Sequence, residues 1–361
     1  MYSYSLYFPN VEFKIQTNDK DIYIKQLKHI LEFYIPYEGK KTKVINMEYI
    51  EDVNLFNKII KEAKSQKSKS YQTFTNQVHK EYQGNDGEKY YIIDNQEYVC
   101  VKENDNSYKI ITNGKEEGVK WLFRVIREIL VRVNEENNGL YMHSTALNID
   151  NSGIMILGNS GSGKTTLATK LLESNEDINF LSNDRVFMYA QDKIKMEYFP
   201  IPIVYAMGTV KHCDALDRYF KNTRILESRV GKKYEKSSDE VKVDVPLTDI
   251  SKIFPNCKMT PTSNIDLIIM AKMNKYIDKD FIFKKLSYKE KMVKLNQTCF
   301  TPYDWESLRL EWLYKRRLSM NDLVENKINT IDTIINNTEI LELEYGLNIS
   351  NKKLIKRIKG V

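Results

Sequence analysis

The octapeptide Gly158-Asn159-Ser160-Gly161-Ser162-Gly163-Lys164-Thr165 satisfies every fixed position of the pattern G-x-x-x-x-G-K-[ST]. No other stretch of the chain restricts the fold so strongly, because the pattern works only on a turn between a buried strand and the start of a helix. Its glycines let the backbone curl until successive N–H groups face a phosphate. The flanks predict that setting. Gly153-Ile154-Met155-Ile156-Leu157 is a short apolar run suited to a buried parallel strand. Residues 166–173 carry apolar side chains at helical spacing, with neither Gly nor Pro. The unpaired N–H groups and the dipole of such a helix both favour an anion at its start. Lys164 is then expected to reach the β- and γ-phosphates, and the Thr165 hydroxyl to ligate Mg²⁺. The expected nucleotide-binding set is Gly158, Asn159, Ser160, Gly161, Ser162, Gly163, Lys164, Thr165 and Thr166. ATP is the expected nucleotide, with GTP left open.

Composition adds limits rather than direction. With 55 basic and 49 acidic residues among 361, the net charge of +6 is a mild excess. It does not call for a nucleic-acid partner; solvated lysines account for it, as would a basic surface that receives an acidic peptide or nucleotide. The four cysteines, Cys100, Cys213, Cys257 and Cys299, lie far apart with no C-x-x-C, so neither a zinc site nor a disulfide framework is expected. Met1-Tyr-Ser-Tyr-Ser-Leu-Tyr-Phe-Pro9 has no basic stretch followed by a long apolar one, which predicts no signal peptide. No apolar run reaches the roughly 20 residues of a membrane span. A soluble, cytoplasmic protein with no membrane partner is expected.

The chain reads in three parts. Residues 1–115 predict an N-terminal α+β domain, with helices over 20–34 and 55–63, an exposed Lys/Ser/Gln loop over 61–70, and a meander over 71–112 whose runs are separated by Gly/Asn/Asp clusters. Residues 116–300 predict an α/β nucleotide core. It has an apolar helix over 119–131, strands over 141–149, 154–157, 178–181, 186–190 and 265–271, and a charged segment over 232–240 that is either a surface loop or a substrate-engaging one. Residues 301–361 predict a helical extension packed through Trp305, Leu308, Leu310, Trp312 and Leu313, then a strand over 340–346 and a basic tail.

Several classes that use this loop are excluded. After it the chain has four glycines, Gly208, Gly231, Gly346 and Gly360, no two adjacent, so the glycine-rich signature of an ABC ATPase is missing. None has an Asp three residues before it, as the second switch of a GTPase requires. Asn274-Lys275-Tyr276-Ile277-Asp278 has one residue too many for the guanine-reading N-K-x-D and reads as a turn.

A different constellation fits. Tyr141-Met142-His143-Ser144-Thr145-Ala146-Leu147 lies one strand before the octapeptide, and Phe180-Leu181-Ser182-Asn183-Asp184-Arg185-Val186 follows its helix. In order and spacing this resembles the HPr kinase/phosphorylase family and its relatives in peptide-modification clusters. There a strand beginning with His precedes the loop, and an A-D-D-R-V or S-D-D-x-V segment follows the helix. The resemblance covers about residues 140–190, with weaker echoes at the 265–271 strand and at Tyr345-Gly346. The kinases of lasso-peptide clusters also carry an extra N-terminal region. The resemblance implies a P-loop α/β core of the HPr kinase type, flanked by the α+β N-terminal region and the helical C-terminal one.

Carried over residue by residue, the resemblance makes Asp184 the second acidic residue of the family pair and puts Asn183 where the first should be. Family members use that pair to hold Mg²⁺ and to accept a proton from a serine hydroxyl. An amide cannot be a general base, so Asp184 is left to act as base and metal ligand, while Asn183 orients water or touches the metal. The missing carboxylate speaks against the reverse, phosphorylase reaction. His143 is placed beside the phosphates, its alternative being a structural histidine. Arg185 pairs either with phosphate or with a nearby acid. The implied catalytic set is Asp184, His143, Asn183 and Lys164, with Thr165 and Asp184 on the metal. The implied function is an ATP- and Mg²⁺-dependent kinase acting on a Ser/Thr hydroxyl of a peptide or small protein, plausibly a ribosomally made peptide precursor. A small-molecule or nucleotide kinase, a non-catalytic nucleotide-gated module, and a homo-oligomer remain open.

Overall fold

The computed structural model describes residues 1–21, 43–72, 78–84, 87–93, 98–114, 116–174, 176–191, 193–222, 239, 241–274, 276–277, 279–302 and 313–360. Residues 22–34 of the expected 20–34 helix, most of the 232–240 segment, Lys275, Asp278, Trp305, Leu308, Leu310 and Trp312 lie outside the described residues. The fold is mixed α/β, and the chain divides into two compact units: Met1–Gly139 with Phe300–Asn326, and Leu140–Cys299 with Lys327–Val361.

The first unit is built on eight strands: β1 (Tyr2–Phe8), β2 (Val11–Thr17), β3 (Lys43–Glu51), β4 (Ser68–Gln72), β5 (Val78–Gln83), β6 (Lys89–Ile93), β7 (Tyr98–Asn104) and β8 (Ser107–Thr112). They form one sheet in the order β1-β2-β3-β8-β7-β6-β5-β4. Strands β4 to β8 are the expected meander, while β3 pairs in parallel with both β2 and β8. Helix α1 (Val53–Lys64) starts where the Asp52 carboxylate accepts from the Asn54 and Leu55 N–H groups. It buries Phe56, Ile60 and Ala63 with Val99, Val101 and Ile111 of the sheet. The expected loop over 61–70 is thus the end of α1 and the start of β4.

Helix α2 (Glu116–Glu136) belongs to this unit, whose first segment runs to Gly139. The reason is packing. Trp121 of α2 stacks on Tyr98 of β7 at 4.3 Å and meets His79 of β5 edge-on at 5.6 Å. Contacts of this kind contribute about 0.5–1.5 kcal/mol beyond the area they bury.

The second unit holds the octapeptide. Its seven-stranded sheet has the order β17-β12-β10-β11-β19-β21-β20. The strands are β10 (Ser144–Ile149), β11 (Ser152–Leu157), β12 (Ile178–Ser182), β17 (Cys257–Met259), β19 (Leu267–Met273), β20 (Phe281–Lys285) and β21 (Glu339–Tyr345). A four-stranded antiparallel sheet, β18-β14-β13-β9, is made from β9 (Leu140–Met142), β13 (Val186–Ala190), β14 (Ile194–Tyr198) and β18 (Thr262–Asn264). A two-stranded ribbon joins β15 (Ile203–Ala206) to β16 (Lys242–Val245). Strand β11 is fully apolar after Gly153 and pairs in parallel with β19, as its composition predicts.

Two further elements of the layout matter. The expected 340–346 strand, β21, pairs with both β19 and β20 inside the main sheet. The basic tail is helix α6 (Asn351–Lys359), capped by the Ser350 hydroxyl, with Lys359 paired to Asp150 at 2.7 Å and to Glu176 at 2.9 Å. Between β16 and α6 the chain also forms α5 (Met320–Asn337), and the division between the units falls within it.

Candidate functional site

The expected 141–149 strand is two strands in two sheets. β9 pairs with β13 in the four-stranded sheet, and β10 pairs with β12 in the seven-stranded one, so the chain changes sheets at His143. It changes back between β12 and β13, across Asn183-Asp184-Arg185. The registers align these crossings. Ala146 lies opposite Ser182, and Met142 lies opposite Val186. Residues 143–145 therefore face residues 183–185, and both crossings meet beside the loop that follows β11.

That loop has the backbone its glycines permit. Gly158, Gly161 and Gly163 sit at φ +149°, +78° and +94°. Gly163 carries two demands. A β-carbon there would strain the left-handed backbone and collide with the Tyr345 hydroxyl, which donates to the Gly163 carbonyl at 2.6 Å. The end of β21 thus braces the last turn before helix α3 (Lys164–Leu172). The Ser162 carbonyl accepts from the Met273 N–H at 2.8 Å, which ties the loop to β19 as well. No side chain caps α3, so its first N–H groups point into the loop.

Lys164 folds over the loop and donates to the Gly158 and Asn159 carbonyls at 2.8 and 3.2 Å. It is only 7% exposed. Burial depresses its amine, Asp184 partly offsets this and Arg185 adds to it, leaving a value of about 8. Thr166 shares a 2.9 Å hydrogen bond with Thr209, on the short helix α4 (Met207–Lys211).

Asp184 adopts φ +66°, the left-handed region that Asp and Asn tolerate better than other side chains. Its carboxylate is held from both sides, Oδ1 at 3.0 Å from His143 Nε2 and Oδ2 at 2.8 Å from Arg185 Nη1. Burial raises its carboxyl. The His143 hydrogen bond and the charges of Arg185, His143 and Lys164 outweigh burial, and the net value lies below the usual carboxylate range. Of the two readings open for Arg185, the pairing with an acid is seen here, with Asp184 as that acid, and the phosphate reading stays open. Asn183 is buried, and its Oδ1 accepts from Thr145 Oγ1 at 2.8 Å and from Thr165 Oγ1 at 3.2 Å.

The structure therefore brings together His143, Lys164, Thr165, Asn183 and Asp184, with Arg185 added. Thr145 lay inside the motif around His143 but carried no signal of its own. Its part depends on the β10/β12 register. Tyr345 was visible only as the end of a strand.

The residues fit a nucleoside triphosphate with Mg²⁺. Ser162 Oγ is buried without a hydrogen-bond partner and faces the Gly158 α-carbon, an orphaned donor inside the loop. The oxygens of Thr165 and Asp184 are hard donors of the kind Mg²⁺ takes. Among the described residues no group of three or more His, Cys, Asp or Glu could hold a metal. All four cysteines are buried and free of disulfides. Among the described residues no helix is long and apolar enough to cross a membrane.

The chain matches no protein-family profile and no curated protein sequence. Among solved structures it is similar to the HPr(Ser) kinase/phosphatase from Coxiella burnetii, at 14% identity and a TM-score of 0.21, over 40% of this chain and 77% of that one. At that level the likeness says nothing about activity.

Proposed function

We propose that this chain is a P-loop phosphotransferase that moves the γ-phosphoryl group of ATP to a hydroxyl of a peptide or small protein. One observation carries the reading. A half-exposed carboxylate, Asp184, stands fixed by His143 and Arg185 at the same chain crossing whose neighbour, Asn183, touches the P-loop threonine. The acceptor class follows from the resemblance of the two flanking motifs to peptide- and protein-modifying kinases.

Phosphoryl transfer asks a protein mainly to position reactants and to neutralise charge. The loop N–H groups and the start of α3 bind the phosphates, and Lys164 leaves its carbonyl partners to reach them. Thr165 and Asp184 would hold Mg²⁺, which when bound offsets the phosphate charge. The acceptor oxygen forms its bond to the γ-phosphorus as the bridging bond breaks, and the electron pair leaves with ADP. Asp184 Oδ1 takes the hydroxyl proton. Its low pKa makes it a weak base, adequate where the transition state is loose and the proton leaves late. His143 holds that carboxylate in place.

A second reading has its own support. With both Asp184 oxygens engaged and Asn183 neutral, the chain could bind nucleotide as a regulatory module and transfer nothing. Incubation with γ-labelled ATP, Mg²⁺ and a cell lysate, followed by mass spectrometry, separates the two. Phosphorylated peptide or protein supports the phosphotransferase, and nucleotide binding without any labelled product supports the module.

A further inference from the structure

We infer that Thr145 and Asn183 form a neutral clamp that aims the Thr165 hydroxyl, and that Asn183 is a positioning residue rather than a metal ligand. This rests on the nucleotide site proposed above and says how that site handles its metal. An amide oxygen has two lone pairs. Asn183 Oδ1 accepts from Thr145 Oγ1 at 2.8 Å and from Thr165 Oγ1 at 3.2 Å, so both are taken by hydroxyl protons. A threonine hydroxyl has one proton to give. Committing that of Thr165 to Asn183 leaves its lone pairs facing away from Asn183, where they would be available to a hard cation.

The surroundings fix the clamp. Thr145 is fully buried and Asn183 is 2% exposed, so water does not compete for either hydrogen bond. The β10/β12 register places Thr145 beside Asn183, and its irregularity between Ala146 and Leu147 lies one residue beyond Thr145. A carboxylate at 183 would accept the same two protons but add a second buried negative charge beside Asp184. The amide does the same steering without adding a charge beside Asp184.

Two substitutions at Thr145 test the clamp. Thr145→Val keeps the shape and deletes the donor, whereas Thr145→Ser keeps the donor. ATP binding is measured by calorimetry without metal and across a MgCl₂ titration. The clamp predicts that Thr145→Val leaves metal-free ATP affinity within about twofold and raises the Mg²⁺ concentration for half-maximal tightening by roughly 5- to 10-fold, the worth of one buried hydrogen bond. Thr145→Ser should restore the wild-type Mg²⁺ dependence. Asn183→Asp, still an acceptor for both hydroxyls, should need no more Mg²⁺ than wild type. An equal loss with and without metal in Thr145→Val would mean a merely structural threonine, and an unchanged Mg²⁺ dependence would overturn the clamp. So would a Thr145→Ser variant that behaves like the valine, or an Asn183→Asp variant that needs more Mg²⁺ than wild type. Wild-type protein that binds no ATP under either condition would overturn the nucleotide site and the clamp together, whereas binding with an unmoved Mg²⁺ requirement overturns the clamp alone.

Discussion

Arginine meets carboxylate in each unit of this protein, under opposite conditions. In the first unit Glu135 accepts from Arg132 at 2.8 Å and from Arg316 at 3.1 Å, with side-chain exposures of 3%, 1% and 7%. Arg316 also donates to the Pro302 carbonyl at 3.3 Å. In the second unit Asp184 pairs with Arg185 and His143 while 41% exposed, on a left-handed backbone at a point where the chain changes sheets. The first cluster is closed on every side and ties α2 to the segment near Pro302. The second is partly exposed and stands beside the Gly158–Thr165 loop. Burial and pairing alone do not mark a functional carboxylate. What sets Asp184 apart is its half-exposed side chain, its left-handed backbone and the Gly158–Thr165 loop next to it.

The sharpest way to break this contrast is to neutralise both acids. Asp184→Asn keeps a side chain that tolerates φ +66°, so folding should survive while phosphoryl transfer falls roughly 10²- to 10⁴-fold. Turnover within about threefold of wild type would remove Asp184 from the chemistry. Glu135→Ala should do the reverse. Removing the buried carboxylate that Arg132 and Arg316 share costs about 3–5 kcal/mol, seen as a lower denaturation midpoint, with ATP affinity unchanged in the protein that remains folded. A stability loss below about 1 kcal/mol would show that the closed cluster is not structural.

Smaller effects sharpen the picture of the cradle. Tyr345→Phe removes the hydroxyl that braces Gly163 and should weaken ATP binding by about fivefold, one net hydrogen bond, with little change in melting temperature. Unaltered affinity would mean that β21 only flanks the loop. The Lys164 amine, lowered to about 8, gives a pH signature. Phosphate favours the charged amine, so above about pH 8 binding must take up a proton, whereas at about pH 6 the amine is already charged and takes up none. Calorimetry in buffers of different ionisation enthalpy reads the difference, and equal proton uptake at both pH values would argue against Lys164 contacting phosphate. Acid acts on Asp184 in the opposite sense. Its folded pKa is depressed, so the stability of its pairs is present above the unfolded value near 3.9 and lost as pH falls through the lower folded one.

The cradle was legible in the amino-acid order because its chemistry is local. Glycines, lysine and threonine at set spacing bend one turn, and β11 and α3 follow from apolar runs on either side. His143 and Asp184 were reachable only through their resemblance to known motifs, since nothing in residues 141–147 or 180–186 alone says that two strands break and cross at the same place. Thr145 was out of reach, because its role depends on a pairing register and on a bulge. The end of the first unit at Gly139 was out of reach for a related reason. The helix over 116–136 reads as a plain apolar helix, and only its stacking on Tyr98 assigns it to the first sheet. The 340–346 segment looked terminal in order, yet parallel pairing with β19 places it inside the main sheet.

The proposed chemistry stands on the loop from Gly158 to Thr165 holding a nucleoside triphosphate through Lys164. The most direct test is calorimetric titration of ATP with Mg²⁺ into the wild type and into Lys164→Ala. The account predicts saturable one-to-one binding by the wild type and its loss, or a weakening of at least about 100-fold, in the variant. Equal affinity in the two proteins, or no binding by the wild type, would contradict it.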